Sequence, residues 1–371
     1  MTTDAVGGVW TYAASLALML CRRGYEVTLV TMGPQPRVEQ IETIANVPGL
    51  IIETTDLALE WMDPDGADLP RARDVLRRVA ERARADIIHL NSFREATFGF
   101  AAPVLVVAHS CVASWWEACR QDRAIDPSWQ HYLRNVAAGL DAADAWAAPT
   151  AAYRNWIEAS YQPRRCGHAI WNGIPLPSVW TRKQPFIFAA GRLWDEAKNV
   201  ALLSQIAPAL DWPVRVAGAT LPVGGLARAS SASEAVVQLG VLPHPQVIWQ
   251  MRAASIFVSP ALYEPFGLTV LEAAACGCAL VLSDIPTFRE LWVGAALFFD
   301  PRDPASLTEA LHSAGRNDAL RTRLQEAARE RACCFSLDAA AKDYRRLYLA
   351  MHVSPHTDSA ARVPVFAEVR A

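Results

Sequence analysis

The sequence predicts an α/β protein built from two domains, each a parallel sheet covered by helices. Short apolar runs with strand composition alternate with helix-length segments, and a repeated βα pattern makes a parallel sheet. The alternation is interrupted once, at the proline-bearing stretch 175–185, and then resumes. The chain has 371 residues, beyond the size at which single cores usually stop growing.

Taken in order, residues 1–5 hold only the tail of a first strand, Thr2-Thr3-Asp4, before a glycine loop at Gly7 and Gly8. A central strand should precede such a loop, so the first strand is expected to be either missing its beginning or short. Residues 10–23 read as a helix, 26–31 as a strand, 71–84 as a helix, 86–90 and 104–108 as strands, and 129–143 as a helix. A second series begins with strand 186–190, helix 200–210, strand 214–217 and helix 245–254. Strand 255–259, helix 268–276 and strand 279–283 follow. The helix has no glycine or proline and stops at Gly277. Helices at 307–315, 320–330 and 336–348 finish the series. The expected domains are therefore 1–174 and 185–350, with 351–371 a polar, aperiodic tail.

Net charge is −3 and no lysine- or arginine-rich block is present, which argues against nucleic acid as a partner. Eight cysteines show no C-x2-C zinc spacing and read as reduced thiols of a cytoplasmic protein. The longest clean apolar stretches, such as 98–108, fall well short of the roughly 20 residues a membrane span needs. No signal peptide precedes Gly7, and nothing indicates peripheral membrane contact.

The most informative unit is 255–284. Glu264 and Glu272 flank a glycine-led helix start, at which Phe266, Gly267 and Leu268 would present backbone N–H groups. The positive end of the helix dipole suits a phosphate or diphosphate. Carboxylates repel phosphate, so their natural partners are hydroxyls. Phosphates flanked by hydroxyl-rich groups describe a nucleotide sugar.

EPFGLTVLE, starting at Glu264, resembles the E-x7-E motif of the retaining, GT-B-fold glycosyltransferases of family 4. GGVWTYA at Gly7, AHS at Ala108, NGIP at Asn172 and GRLWDEAKN at Gly191 fall in the order that family requires. LEWMDPD at Leu59 and DIIHLN at Asp86 extend the resemblance over roughly 4–350. It implies two Rossmann-like domains facing across a cleft, the first on the acceptor side and the second holding a nucleotide diphosphate sugar. The family often returns its last helix to the first domain.

Residue by residue, the resemblance implies that Glu264 reaches the donor sugar's 3- and 4-hydroxyls and Glu272 the ribose. His109 ends an apolar strand at the crevice. It is expected to hold the sugar and help stabilise positive charge at the anomeric centre. Arg192 and Lys198 lie in the loop after strand 186–190, where two cations would absorb charge on the departing diphosphate without proton transfer. Gly8, Asn172, Gly191, Phe266, Gly267, Leu268 and Thr269 complete the expected donor contacts. Asp195 and Glu196 are expected to shape the loop, and His89 to serve packing or loop bonding. Trp10, Tyr12, Trp115 and Trp116 are open between acceptor contact and packing.

The implied reaction is sugar transfer to an acceptor hydroxyl with retention, the leaving phosphate taking the acceptor's proton. No cofactor and no metal are expected. Asp63 and Asp65 spell a DxD, but in a loop of turn-forming residues. A sugar phosphorylase, a nucleotide-sugar epimerase and a non-catalytic nucleotide-sugar-binding subunit are the alternatives. The acceptor, whether a saccharide, a lipid-linked saccharide or a small molecule, is left open, as are the base and the sugar.

Overall fold

The computed structural model describes residues 1–5, 7–121, 123–176, 181–221 and 235–353. The first half comprises β1 (Thr2–Asp4), α1 (Gly8–Cys21), β2 (Val27–Met32), α2 (Val38–Glu42), β3 (Leu50–Thr54), α3 (Leu69–Arg82), β4 (Ile88–Leu90), β5 (Val104–Val107), α4 (Val112–Cys119), α5 (Gln130–Ala142), β6 (Ala145–Ala148), α6 (Ala151–Tyr161) and β7 (His168–Ala169). Its strands run parallel in two ladders, β1-β2-β3 and β4-β5-β6-β7.

The first strand is seen as β1, Thr2–Asp4. Its three residues pair in register with Val30, Thr31 and Met32 of β2. No ladder joins it to β4 among the described residues. Instead Asn91, just past β4, donates its backbone N–H to Thr2 Oγ1 at 3.0 Å and its Nδ2–H to the Thr2 carbonyl at 2.7 Å. Side-chain bonds thus stitch the two ladders where strand pairing is absent.

The second half comprises β8 (Gln184–Ala190), α7 (Ala201–Ile206), β9 (Val214–Ala217), β10 (Val236–Gln238), α8 (His244–Ala253), β11 (Ala254–Ser259), α9 (Leu268–Ala275), β12 (Ala279–Ser283), α10 (Pro286–Trp292), β13 (Ala296–Phe299), α11 (Pro304–Arg316), α12 (Asp318–Ala332) and α13 (Leu337–Val353). Its six strands form one parallel sheet in the order β10-β9-β8-β11-β12-β13. β11 and β12 are buried on both faces, as a covered parallel sheet requires.

Several elements escape the sequence reading, and β6 shows why. Its residues, AWAA, favour helix by propensity. Burial of Trp146 between layers and pairing with β5 decide for strand. α2, β3, α4, α6, β7, β10, α10 and β13 likewise lie outside the elements read from the sequence.

The expected second domain, 185–350, also needs correction at its end. α13 leaves it at Leu337 and packs on α1, placing Ala341, Tyr344, Leu347, Tyr348 and Met351 in the first core. Arg23 at the end of α1 pairs with Asp338. The apolar stripe of α13 finds its complement only on α1, so the return begins well before 351. Of the expected tail, 354–371 lie outside the described residues.

The chain crosses between the halves twice, side by side. Ile174 N–H donates to Phe335 O, and Leu337 N–H donates to Ile174 O, both at 3.3 Å. Gly173 has no room for a side chain, since a Cβ there would collide with the Ser336 carbonyl.

Candidate functional site

Strand order reverses between β8 and β11, and ligands of such sheets bind beyond the carboxyl ends of the strands at that point. Two loops emerge there, 191–199 after β8 and 260–267 after β11. In the first half the neighbouring strands β1 and β4 send out the Gly7 loop and Asn91, and β5 sends out His109. The two groups of loops face each other.

Two glycine-led helix starts meet in this space. Gly7 (φ +85°) precedes α1 and Gly267 (φ +87°) precedes α9, in the left-handed region that disfavours side chains. Neither helix has a side-chain cap. A Cβ placed on Gly7 would sit 3.7 Å from Arg192 Nη1, and one on Gly8 would sit 3.7 Å from Leu268 Cδ1. Leu268 packs against both cores. Positive helix ends from both halves, with Arg192 beside one of them, make an electropositive cleft floor.

The expected cations and carboxylates are neighbours. Lys198 Nζ lies 2.6 Å from Glu264 Oε2, and Thr287 Oγ1 donates to the Glu264 carbonyl at 2.6 Å, which fixes that backbone. Arg192 donates to Asp195 Oδ2 at 2.7 Å and lies over the Trp194 ring. Gly191 anchors the loop through its N–H to Ala217 O, and its carbonyl packs where a Cβ on Gly218 would be. Thr269 is half-buried in the first turn of α9. Glu272, one turn on and buried, meets His244 Nε2 at 2.8 Å. Hydrogen bonding to Glu272 raises the His244 pKa. His244 is absent from the sequence reading. The only signal for it is a histidine opening a helix.

His109 is held from the first half. Asn91 gives its amide hydrogen to Thr2, so its Oδ1 faces His109 Nε2 at 2.8 Å and accepts from it. The ring is then the Nε2–H tautomer, with a lone pair on Nδ1. Burial lowers its pKa to about 3, so it is neutral at physiological pH. The Tyr12 ring meets it edge-on, 4.6 Å between centroids. Trp10 and Tyr12 are buried in the first core, and Tyr12 shares His89 with Tyr348 of α13 at 3.3 and 2.6 Å. Asn91 is the last residue of DIIHLN, and its role as the partner of His109 has no signal in that segment.

Two expected residues sit apart from the cleft floor. Asn172 is buried at the double crossing, with no hydrogen-bond partner for Oδ1. The Phe266 side chain packs edge-on against Phe335, leaving only its backbone for a ligand. Asp63 accepts from the N–H groups of Ala67 and Asp68 and pairs with buried Arg94 at 2.9 Å, while Asp65 is exposed. No group of three or more metal-ligating side chains occurs among the described residues.

Further side-chain contacts bridge the halves. Trp115 Nε1–H donates to Asp195 Oδ1 at 3.1 Å, Ser114 Oγ meets Tyr263 OH at 2.7 Å, and Arg120 pairs with Glu196 at 3.2 Å. Glu290 accepts the N–H groups of Ala151 and Ala152, capping α6 from the other half. Asp195 does shape its loop, through the Ala197 N–H. No sequence spacing announces such partners.

Comparison with known proteins bears on both halves. Residues 6–177 match the family model described as Glycosyltransferase Family 4, and residues 177–331 match the one described as Glycosyl transferases group 1. A Mycobacterium tuberculosis glycogen synthase is 36% identical over 115 residues, 30% of this chain and 28% of that one. A Corynebacterium urealyticum D-inositol 3-phosphate glycosyltransferase is 29% identical over 209 residues, 52% of this chain and 48% of that one. The alignments therefore span half or less of these two relatives. Among solved structures, sucrose-phosphate synthase from Thermosynechococcus elongatus superposes with a TM-score of 0.75 at 19% identity, over 94% of this chain and 95% of that one. Anabaena HepE in complex with UDP and glucose gives 0.71 at 15% identity, over 94% and 99%.

Proposed function

We propose, because this chain belongs to the family 4, group 1 glycosyltransferases and has their GT-B fold, that it transfers a sugar from a nucleotide diphosphate sugar to an acceptor hydroxyl with retention. One observation carries the proposal. Two uncapped helix starts from opposite domains converge beside Arg192, with the Lys198–Glu264 pair in the adjoining loops. Such a floor fits a diphosphate, and the carboxylates fit the hydroxyls on either side of it.

In this reading Arg192, Lys198 and the N–H groups at the start of α9 take up the charge that grows on the phosphate as the anomeric bond breaks. Glu264 holds the sugar ring and adds negative potential where positive charge develops. Glu272 takes the ribose hydroxyls, replacing its contact with His244. Neutral His109 presents the Nδ1 lone pair to a sugar hydroxyl, while its depressed pKa keeps a competing cation away from the anomeric carbon. The leaving phosphate accepts the acceptor's proton on the same face. Residues 1–174 form the acceptor side and 185–336 the donor side. No metal or cofactor takes part, and no nucleic acid is a partner. The absence among described residues of a helix long and apolar enough to cross a membrane leaves the acceptor's solubility open.

A panel of UDP-, GDP- and ADP-sugars, assayed for release of nucleoside diphosphate with and without simple saccharide acceptors, tests the proposal. Release from one donor class with retained anomeric configuration in the product supports it. Phosphate-dependent formation of sugar phosphate, or epimerisation with the nucleotide still attached, refutes it.

A further inference from the structure

Asp195 connects the two domains to one cation. It is 7% exposed although it belongs to a loop at the cleft. Its Oδ2 accepts from Arg192 at 2.7 Å, and its Oδ1 accepts both the Ala197 N–H at 3.0 Å and the indole N–H of Trp115 at 3.1 Å. A buried carboxylate is stable only with its lone pairs occupied. The Ala197 bond is local and survives any movement of the domains. The Trp115 bond joins α4 of the first domain to a loop of the second, so it exists only when the domains are docked. Ser114 of the same helix and Arg120 just beyond its end dock on Tyr263 and Glu196, which places Trp115 inside a contact surface.

We propose that Trp115 and Asp195 form a closure-dependent relay that fixes the Arg192 guanidinium in its phosphate-facing position only when the domains are docked. This rests on the transfer reading above, which makes Arg192 a phosphate contact. Asp195 and Trp115 are positioning residues. In the docked state the indole holds one carboxylate oxygen, and the other directs the guanidinium toward the Gly7 loop, 3.7 Å from a Cβ placed there. When the domains part, the carboxylate loses that donor and its loop gains solvent, where the ion pair is screened and its geometry loosens. Charge stabilisation is then assembled only where water is excluded, which disfavours donor hydrolysis in the open enzyme.

The relay is tested with Trp115→Phe, which keeps an aromatic ring but removes the N–H, and Asp195→Asn, which keeps the shape but removes the charge. Each should lower kcat about 10-fold, the worth of one hydrogen bond to a charged group, with donor KM within about 2-fold. The double variant should be no worse than Asp195→Asn alone, because both act through one link. Reductions that multiply, or kcat values equal to wild type, overturn the relay. The indole resonance of Trp115 in ¹⁵N-tryptophan-labelled protein, identified by its loss in Trp115→Phe, should shift in Asp195→Asn. An unshifted resonance overturns the relay whether or not any nucleotide sugar is turned over. Wild-type protein that turns over none of the UDP-, GDP- or ADP-sugars, with the resonance shifting as expected, overturns the transfer reading and leaves the Trp115–Asp195 link standing.

Discussion

Removing the Lys198 ammonium should cost more activity than removing the Arg192 guanidinium, although both are assigned to the same diphosphate. A fixed cation at developing phosphate charge is worth roughly 2–4 kcal/mol, so Arg192→Ala should lose about 10²-fold in kcat/KM. Its partner Asp195 loses its cation and the contact to Oδ2 but keeps two donors on Oδ1, the Trp115 indole and the Ala197 N–H. Lys198 differs. Its Nζ lies 2.6 Å from Glu264, with side chains 21% and 16% exposed, and Lys198 is the one charged partner Glu264 has among the described residues. Lys198→Ala leaves that carboxylate unpaired beside the donor phosphates, a further roughly 1–3 kcal/mol, for a total loss of about 10³-fold. Combining Lys198→Ala with Glu264→Gln removes the orphaned charge, so the double variant should lose less than the product of the singles. Steady-state kinetics with varied donor, alongside thermal melts to confirm folding, measures this. Both single variants keeping more than half of wild-type kcat/KM would refute the phosphate assignment, and strict multiplicativity would refute the coupling.

The two glutamates should fail differently. Glu264→Gln should lower kcat more than it changes donor KM, because its contact strengthens in the transition state, and Glu272→Gln should raise KM more than it lowers kcat; the reverse pattern means the assignments are exchanged. If protein donors meet the phosphate charge as proposed, turnover should persist in excess EDTA, and loss restored by Mg²⁺ or Mn²⁺ would overturn that. His109, held neutral down to about pH 3, should make stability fall on acidification. Between pH 6.5 and 3 the unfolded chain binds a proton that the folded one refuses, at up to about 1.4 kcal/mol per pH unit, and above 6.5 the group contributes no slope. Urea melts between pH 7.5 and 5 should show a flatter dependence for His109→Gln, and an identical slope would remove His109 from the account.

The sequence by itself determined the α/β class, the two-domain order and the chain positions of the glycine loops, Arg192, Lys198 and the glutamate pair. These are local properties: apolar runs of strand length, a helix stopped by Gly277, glycines placed before helices. The tertiary structure alone decided which of these groups meet. Arg192 approaches Gly7, 185 positions away, because the loops at the carboxyl ends of the two halves' strands face one another, and no spacing encodes that. Asn91 orients His109 because the Thr2 carbonyl takes its amide hydrogen and leaves Oδ1 for the imidazole. β6 defies the helix propensity of its alanines because a layered core has a place for Trp146. α13 returns to the first domain because its apolar stripe is complementary to α1, and Asp195 acquires Trp115 because α4 docks across the cleft. Helix and strand follow from patterns within a few residues. Partnerships between side chains far apart in sequence follow from shape complementarity, which exists only once both surfaces have formed.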